Sequence, residues 1–131
     1  MKYEGQETGA SQSFVNDRLR IEYEDGAESR TVRFLGKSFL KDPNDFVLPI
    51  LTKVLQESVE AKKRIVIDFR ELAYMNSSTI TPVIKVLEKA RVGVGEITVI
   101  YRKSLKWQEI SFSALIIFQT TDRRIEIVGE D

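Results

Sequence analysis

Apolar and charged residues alternate along the chain just after its first polar segment. Over 19–23 every second residue is apolar, which predicts a strand with one solvent-exposed face. Asp25-Gly26 follows as a turn dipeptide, and the apolar positions within 31–35 predict the returning strand. The folded part of the chain is therefore expected to begin with a β-hairpin.

The segment that precedes this hairpin, residues 1–17, is polar and has only scattered apolar positions. Such a composition buries too little apolar surface to offset the entropy lost on ordering. We therefore expect 1–17 to be a flexible N-terminal tail and 18–131 to form a single domain. The 42% of apolar residues in the chain is sufficient for one hydrophobic core.

Further along the chain, apolar residues recur at the three-and-four spacing of a helix. The first predicted helix has its apolar positions at Phe46, Val47, Ile50, Leu51, Val54, Leu55 and Val59. Pro49 lies inside it and removes a backbone hydrogen bond, so we expect a kink or a late helix start there. The second predicted helix has its apolar positions at Ile80, Val83, Ile84, Leu87 and Ala90. A third helix is expected over 104–117.

Short runs rich in isoleucine and valine predict strands between these helices. The run 65–67 is continuous and β-branched, as in a strand at the middle of a sheet. The runs 96–101 and 125–128 predict two more strands. Strands that alternate with helices favour right-handed parallel crossovers. The sequence thus predicts an α/β fold, with a mixed sheet of about five strands, an N-terminal hairpin and about three helices.

The charge balance and the missing residue types narrow the function. The chain has 20 basic and 20 acidic residues, so no net charge draws it toward nucleic acid or an anionic membrane. It contains no histidine and no cysteine, which removes the commonest general base, thiolate chemistry and most zinc ligands. No apolar stretch approaches the length of a membrane span. We expect a cytoplasmic protein with no catalytic residues, metal, cofactor, nucleic-acid partner or membrane anchor.

The segment 68–79 (DFRELAYMNSST) carries the side chains best suited to a functional site. It leads from the central strand to the second helix, where unpaired N–H groups and the helix dipole would stabilise an attached phosphate. Because Pro82 belongs in a first turn, the regular helix is expected to begin near Thr79, which leaves Asn76 and Ser77 exposed. Ser and Asn are also preferred N-caps, so a purely capping role stays open on these grounds.

A family resemblance adds to this picture. The stretch 65–90 (IVIDFRELAYMNSSTITPVIKVLEKA) resembles the core motif of STAS domains and anti-sigma-factor antagonists. That motif has an apolar strand, a D-x-x-x-L-x-(aromatic)-M/I segment and a D-S-S/T-G box before the partner-binding helix. The matching positions are Asp68, Leu72, Tyr74, Met75, Ser77 and Ser78. In that family the first Ser or Thr of the box is phosphorylated, which implies phosphorylation of Ser77 in a non-enzymatic bacterial regulator.

Two positions depart from the family pattern, because Asn76 replaces the usual Asp and Thr79 replaces the usual Gly. The Asn form, together with Gly36-Lys-Ser-Phe39 and Pro49, is similar to a branch of STAS-like regulatory phosphoproteins. Members of that branch work with a Ser/Thr kinase, a metal-dependent phosphatase and a diguanylate cyclase. The resemblance therefore implies such protein partners, with an anti-sigma factor as the other kind of regulated effector.

In such a regulator, phosphorylation adds about −1.5 to −2 charges beside a helix face whose neutral form docks on a partner. Partner binding is then lost or redirected, which is signal transduction by partner switching. The residues expected to form the docking surface or to shape the loop are Phe39, Tyr74, Met75, Asn76, Ser78 and Thr79.

Three other functions stay open at this level. A STAS-like module that senses a nucleotide or a lipid would need an apolar pocket. A serine-dependent hydrolase would need a lysine as its base, and the G-x-S-x-G elbow is absent. A purely structural adaptor would use Ser77 only as a helix cap.

Overall fold

The computed structural model describes residues 2–5 and 11–131 of the chain. The strands are β1 (Lys2–Gly5), β2 (Ser11–Asn16), β3 (Leu19–Asp25), β4 (Ser29–Ser38), β5 (Arg64–Asp68), β6 (Leu72–Met75), β7 (Ile97–Arg102) and β8 (Ile125–Glu130). The α-helices are α1 (Pro43–Ala61), α2 (Ile80–Val92) and α3 (Lys106–Ser113). Two short 3₁₀ helices, Ser77–Thr79 and Ala114–Phe118, precede α2 and follow α3.

The strands form one mixed sheet in the order β1-β2-β3-β4-β5-β7-β8, and β6 pairs with the last residues of β4. The strands from β1 to β4 are antiparallel, whereas β5, β7 and β8 extend the sheet from β4 in parallel. The helices between the parallel strands supply the crossovers that this pairing needs. The predicted α/β fold is confirmed, although the described residues form eight strands, more than the sequence predicts.

The N-terminal segment 1–17 is not a flexible tail throughout, and that prediction is wrong for its two strands. All residues of β2 pair antiparallel with β3, and β1 pairs in turn with β2. Phe14 of β2 is only 8% exposed. A mostly polar strand with one buried ring is stabilised by backbone pairing and cross-strand contacts, which hydrophobic periodicity does not reveal. Residues 1 and 6–10 lie outside the described part of the chain.

The described helices cover one face of the sheet, which we call the helix face. Ile65, Ile67 and Phe69 point to it and are at most 2% exposed. Phe112 of α3 stacks on Phe69 with 4.4 Å between ring centroids. The opposite face, called the open face, carries the alternating half-buried residues Arg33, Val66, Ile100 and Val128. The predicted alternation in the hairpin thus extends into the parallel strands, although parallel strands are usually covered on both faces.

The helices differ from prediction in detail. Helix α1 begins at Pro43, where a missing N–H is harmless, and continues through Pro49, so a late start does not occur. The predicted third helix over 104–117 is divided into α3 and a 3₁₀ continuation. None of the helices in the described ranges is long and apolar enough to span a bilayer.

A buried glutamine in α3 joins three strand ends. The side chain of Gln108 is fully buried. Its Nε2 atom donates to the carbonyl oxygens of Phe69 at 2.7 Å and Leu72 at 2.9 Å, and its Oε1 atom accepts from the Arg102 N–H at 2.7 Å. These bonds satisfy backbone carbonyl and N–H groups at the ends of β5, β6 and β7. They also attach Leu72, the first residue of β6, to α3, and β6 leads to Ser77.

Candidate functional site

The serine loop, which we define as residues 76–79, lies where several elements meet. It follows β6 directly and leads through a 3₁₀ turn into α2. The end of β4 pairs with β6, so Ser38 lies opposite Met75 and next to the loop. The carboxyl ends of parallel strands are where α/β folds place most of their functional groups.

Asn76 organises this loop through its side-chain amide. Its Nδ2 atom donates to the Leu40 carbonyl at 2.9 Å, which ties the loop to the connection between β4 and α1. Its Oδ1 atom accepts from Thr79 Oγ1 at 2.6 Å and lies 3.2 Å from Ser78 Oγ. The backbone N–H of Asn76 donates to the Ser38 carbonyl at 3.0 Å. The side-chain amide of Asn76 therefore links the β4–α1 connection to the hydroxyl groups of the loop.

A buried pair of hydroxyl groups lies beneath the loop. Ser38 and Thr79 are both fully buried, and their hydroxyl oxygens are 2.7 Å apart. Because the Thr79 hydroxyl donates its hydrogen to Asn76 Oδ1, the Ser38 hydroxyl must be the donor to Thr79. Both hydrogen bonds therefore have the same direction, from Ser38 through Thr79 to Asn76. The Thr79 side chain thus helps to hold the loop in place. The sequence analysis did not single out Ser38, although it lies within the Gly36-Lys-Ser-Phe39 segment.

Ser77 is the exception within the loop. Its side chain is exposed, whereas Ser78 is half-buried and Thr79 is buried. Asn76 is half-buried rather than exposed as predicted, because its amide bonds to the Leu40 carbonyl. Hydrogen bonds join the other three side chains of the loop, and within the described residues none of them involves the Ser77 hydroxyl. No side chain makes a capping hydrogen bond at the start of the 3₁₀ turn or of α2. The purely capping role is therefore not the one that these side chains play.

An exposed aromatic pair lies close to the loop. Phe39 and Tyr74 are 49% and 42% exposed, and their rings stack with 5.0 Å between centroids. The guanidinium carbon of Arg18 lies 5.8 Å from the Phe39 ring centroid, within the range of a cation–π contact. Exposed stacked rings beside a cation are typical of protein-binding surfaces, where aromatic residues and Arg are enriched.

Met75 does not belong to this exposed pair, contrary to the sequence prediction. Its side chain is 8% exposed and packs in the hydrophobic core. In β6 only the first and last residues are buried, so Tyr74 points outward while Leu72 and Met75 point inward. Met75 therefore supports the loop from below and does not reach a docking partner.

Asp68, the first matched residue of the family motif, has a local structural role at the end of β5. Its carboxylate accepts from Arg70 Nη2 at 2.8 Å and from the Arg70 backbone N–H at 3.0 Å. Burial alone would raise the pKa of Asp68, but the hydrogen bonds from Arg70 outweigh it and hold the pKa below its ordinary value. The carboxylate thus stays ionised and closes the turn toward β6, which delivers the serine loop.

Comparison with known proteins shows a structural likeness only. No protein-family model matches the chain, and no curated protein sequence matches it. Its fold is similar to SiaC in the crystal structure of the diguanylate cyclase SiaD in complex with its activator SiaC from Pseudomonas aeruginosa. The TM-score is 0.59 at 13% sequence identity, and the superposition covers 90% of this chain and 98% of that chain. At that identity the likeness establishes a shared α/β fold over nearly the whole of both chains.

Proposed function

We propose that this chain is a cytoplasmic, non-enzymatic regulatory protein of a bacterial partner-switching pathway. In this proposal the chain binds a protein effector, and reversible phosphorylation of Ser77 controls that binding. The observation that carries the proposal is the contrast within the serine loop. Three of its side chains are held by mutual hydrogen bonds, while the Ser77 hydroxyl is exposed at the first turn before α2.

The charge change explains how such a switch would act. A phosphate on Ser77 adds about −1.5 to −2 charges at neutral pH. The added group would lie at the N-terminal end of the 3₁₀ turn and α2, where the helix dipole stabilises it. The same charge would lie near the exposed aromatic pair of Phe39 and Tyr74, where an effector would have to desolvate it. Phosphorylation is therefore expected to change effector binding without unfolding the loop.

We infer that the effector is a diguanylate cyclase. Two observations support this inference. The fold is similar to SiaC, the activator of the diguanylate cyclase SiaD. The serine loop, with Asn76 in place of the usual Asp, resembles the branch of STAS-like phosphoproteins that works with a diguanylate cyclase. A dedicated Ser/Thr kinase and a metal-dependent phosphatase complete the proposed pathway. An anti-sigma factor is the other effector that the STAS resemblance allows.

Catalysis by Ser77 has less support. A nucleophilic serine needs an adjacent base, and the sequence contains no histidine. Within the described residues, no lysine or carboxylate is hydrogen-bonded to the Ser77 hydroxyl. The exposed hydroxyl therefore suits modification by another enzyme better than it suits turnover by this chain.

Phosphorylation is expected at one hydroxyl of the loop. When the purified chain is incubated with ATP and an extract of its own bacterium, mass spectrometry should find the phosphate on Ser77. Ser77→Ala should abolish it. Ser78→Ala is the matched control and should remain phosphorylated, because the Ser78 hydroxyl is half-buried and lies 3.3 Å from the Leu40 carbonyl. Phosphate on Ser78, or unchanged incorporation in Ser77→Ala, would contradict the proposal.

The aromatic pair is expected to provide the docking contact. Replacing both Phe39 and Tyr74 with serine should weaken binding of the unmodified chain to a diguanylate cyclase of its own bacterium by about 2 kcal/mol or more. Because both rings are exposed, we expect the free energy of unfolding to change by only about 0.5 kcal/mol. Surface plasmon resonance and thermal unfolding measure the two quantities.

Matched controls for the docking test exist elsewhere on the surface. Val94 and Ile117 are 73% and 74% exposed and lie outside the serine loop and the aromatic pair. Val94→Ser and Ile117→Ser should leave cyclase binding unchanged. If these controls weaken binding as much as the aromatic double variant, the docking surface has been assigned to the wrong place.

A further inference from the structure

A cleft separates α1 from the outer strands of the sheet on the helix face. Its volume is about 770 Å³, and its apolar lining includes Phe14, Tyr23, Ile50 and Val54. The cleft arises because β2 and β3 extend the sheet past α1, whose side lines the cleft together with residues of these two strands. A volume of this size lies within the range of small-molecule sites.

Arg30 brings a guanidinium with one unsatisfied donor group to this cleft. Its Nε and Nη2 atoms donate to Asp25 Oδ1 at 3.1 Å and Oδ2 at 3.5 Å, but its Nη1 atom is buried and has no hydrogen-bond partner among the described residues. The Glu57 Oε1 atom lies 3.9 Å from Nη1, close enough for an ion pair but beyond hydrogen-bonding distance. A buried donor without an acceptor costs about 1–3 kcal/mol in a folded protein.

The charges around the cleft balance, because Glu57 and Glu60 accompany Asp25 opposite Arg30, Lys53 and the neighbouring Lys63, so the unsatisfied Arg30 donor rather than net charge would select the ligand. Asp25 is shared between two cations, because Lys63 Nζ also donates to its Oδ1 atom at 2.7 Å. Among the described residues, Asp25 is thus the only carboxylate that accepts hydrogen bonds from Arg30 or Lys63. The side chain of Glu57 is 46% exposed and can turn toward solvent when another acceptor approaches Arg30. The exposed Lys53 adds a further cation to the lining.

We propose that this cleft binds a small organic acid whose apolar body lies between α1 and β2–β3 and whose carboxylate accepts a hydrogen bond from Arg30 Nη1. A guanidinium prefers an anionic oxygen to a neutral one, which selects an acid over an alcohol of the same shape. The apolar walls of the cleft would contact the apolar body of the ligand. This site is separate from the serine loop and does not depend on phosphorylation of Ser77.

The test is a titration of the full chain with decanoate, kept below its micelle concentration and followed by amide-resolved NMR. We expect saturable shifts confined to β2, β3, β4 and α1. Arg30→Gln should weaken binding by about ten-fold or more. The matched control is Arg33→Gln, which removes an arginine from the same strand but on the open face, and it should bind like the unaltered chain.

Two further measurements keep the proposal falsifiable even if Arg30→Gln unfolds. Val54→Phe leaves Arg30 in place but fills the cleft, and it should also abolish the shifts. 1-Decanol should bind about ten-fold more weakly than decanoate, since it lacks the charged acceptor. The proposal is overturned if decanol binds equally well, if Val54→Phe binds normally, or if the shifts lie elsewhere.

Discussion

Gly36→Ala is expected to destabilise the fold by about 2–5 kcal/mol. Gly36 has a φ of 85°, a conformation that side chains with a Cβ atom rarely adopt. A Cβ atom at this position would lie 2.1 Å from the Arg18 carbonyl oxygen, which is a backbone atom. That oxygen cannot move freely, because it accepts a hydrogen bond from the Lys37 N–H at 3.0 Å. Chemical denaturation measures the loss.

The effect of Gly36→Ala should extend to the candidate site. The register of β4 against β6 shifts between Gly36 and Lys37, and this shift carries Ser38 and Phe39 to their places beside the serine loop. Gly93→Ala is the matched control, since Gly93 has a φ of −101° and the nearest atom to an added Cβ is at 3.1 Å. If the two alanine variants were equally stable, the close approach at Arg18 would not be the reason for this glycine.

Asn76→Asp is expected to destabilise the chain by about 2–3 kcal/mol at neutral pH. The substitution introduces the residue that the STAS proteins resembled by this segment usually have here, yet it replaces the Nδ2 donor with an oxygen that faces the Leu40 carbonyl. The new carboxylate oxygen and the Leu40 carbonyl oxygen, both acceptors, would then face each other at the 2.9 Å that now separates donor and acceptor. The bonds from Ser78 and Thr79 survive, because a carboxylate still accepts them. Thermal unfolding of both proteins measures the difference.

The pH dependence separates this explanation from a general loss of packing. A protonated carboxyl has one O–H donor that can bond the Leu40 carbonyl, so the deficit of Asn76→Asp should shrink at acidic pH. Asn16→Asp, at the end of β2, is the control and should show a small, nearly pH-independent change. A deficit of Asn76→Asp that stays constant between neutral and acidic pH would contradict the donor argument.

Local patterns predicted the elements with strong periodicity and missed those that depend on partners distant in sequence. The hairpin of β3 and β4, the strand β5 and the helices α1 and α2 follow from alternation or helical spacing. Strands β2 and β6 are short or polar, and they exist because β3 and the end of β4 offer backbone groups to pair with. The cleft beside α1 exists for the same reason, since it needs β2 and β3 to extend past the helices.

The sequence by itself determined the α/β fold class, the hydroxyl-rich box at the start of the second helix and the absence of histidine or cysteine chemistry. It also predicted an exposed Ser77, but only the tertiary structure decided that the neighbouring Asn76, Ser78 and Thr79 are held by hydrogen bonds. Ser38 and Thr79 are 41 positions apart, yet their buried contact and the Asn76 bridge hold every side chain of the loop except Ser77. Spacing along a chain specifies which face a residue takes, whereas exposure depends on what the rest of the molecule places over that face.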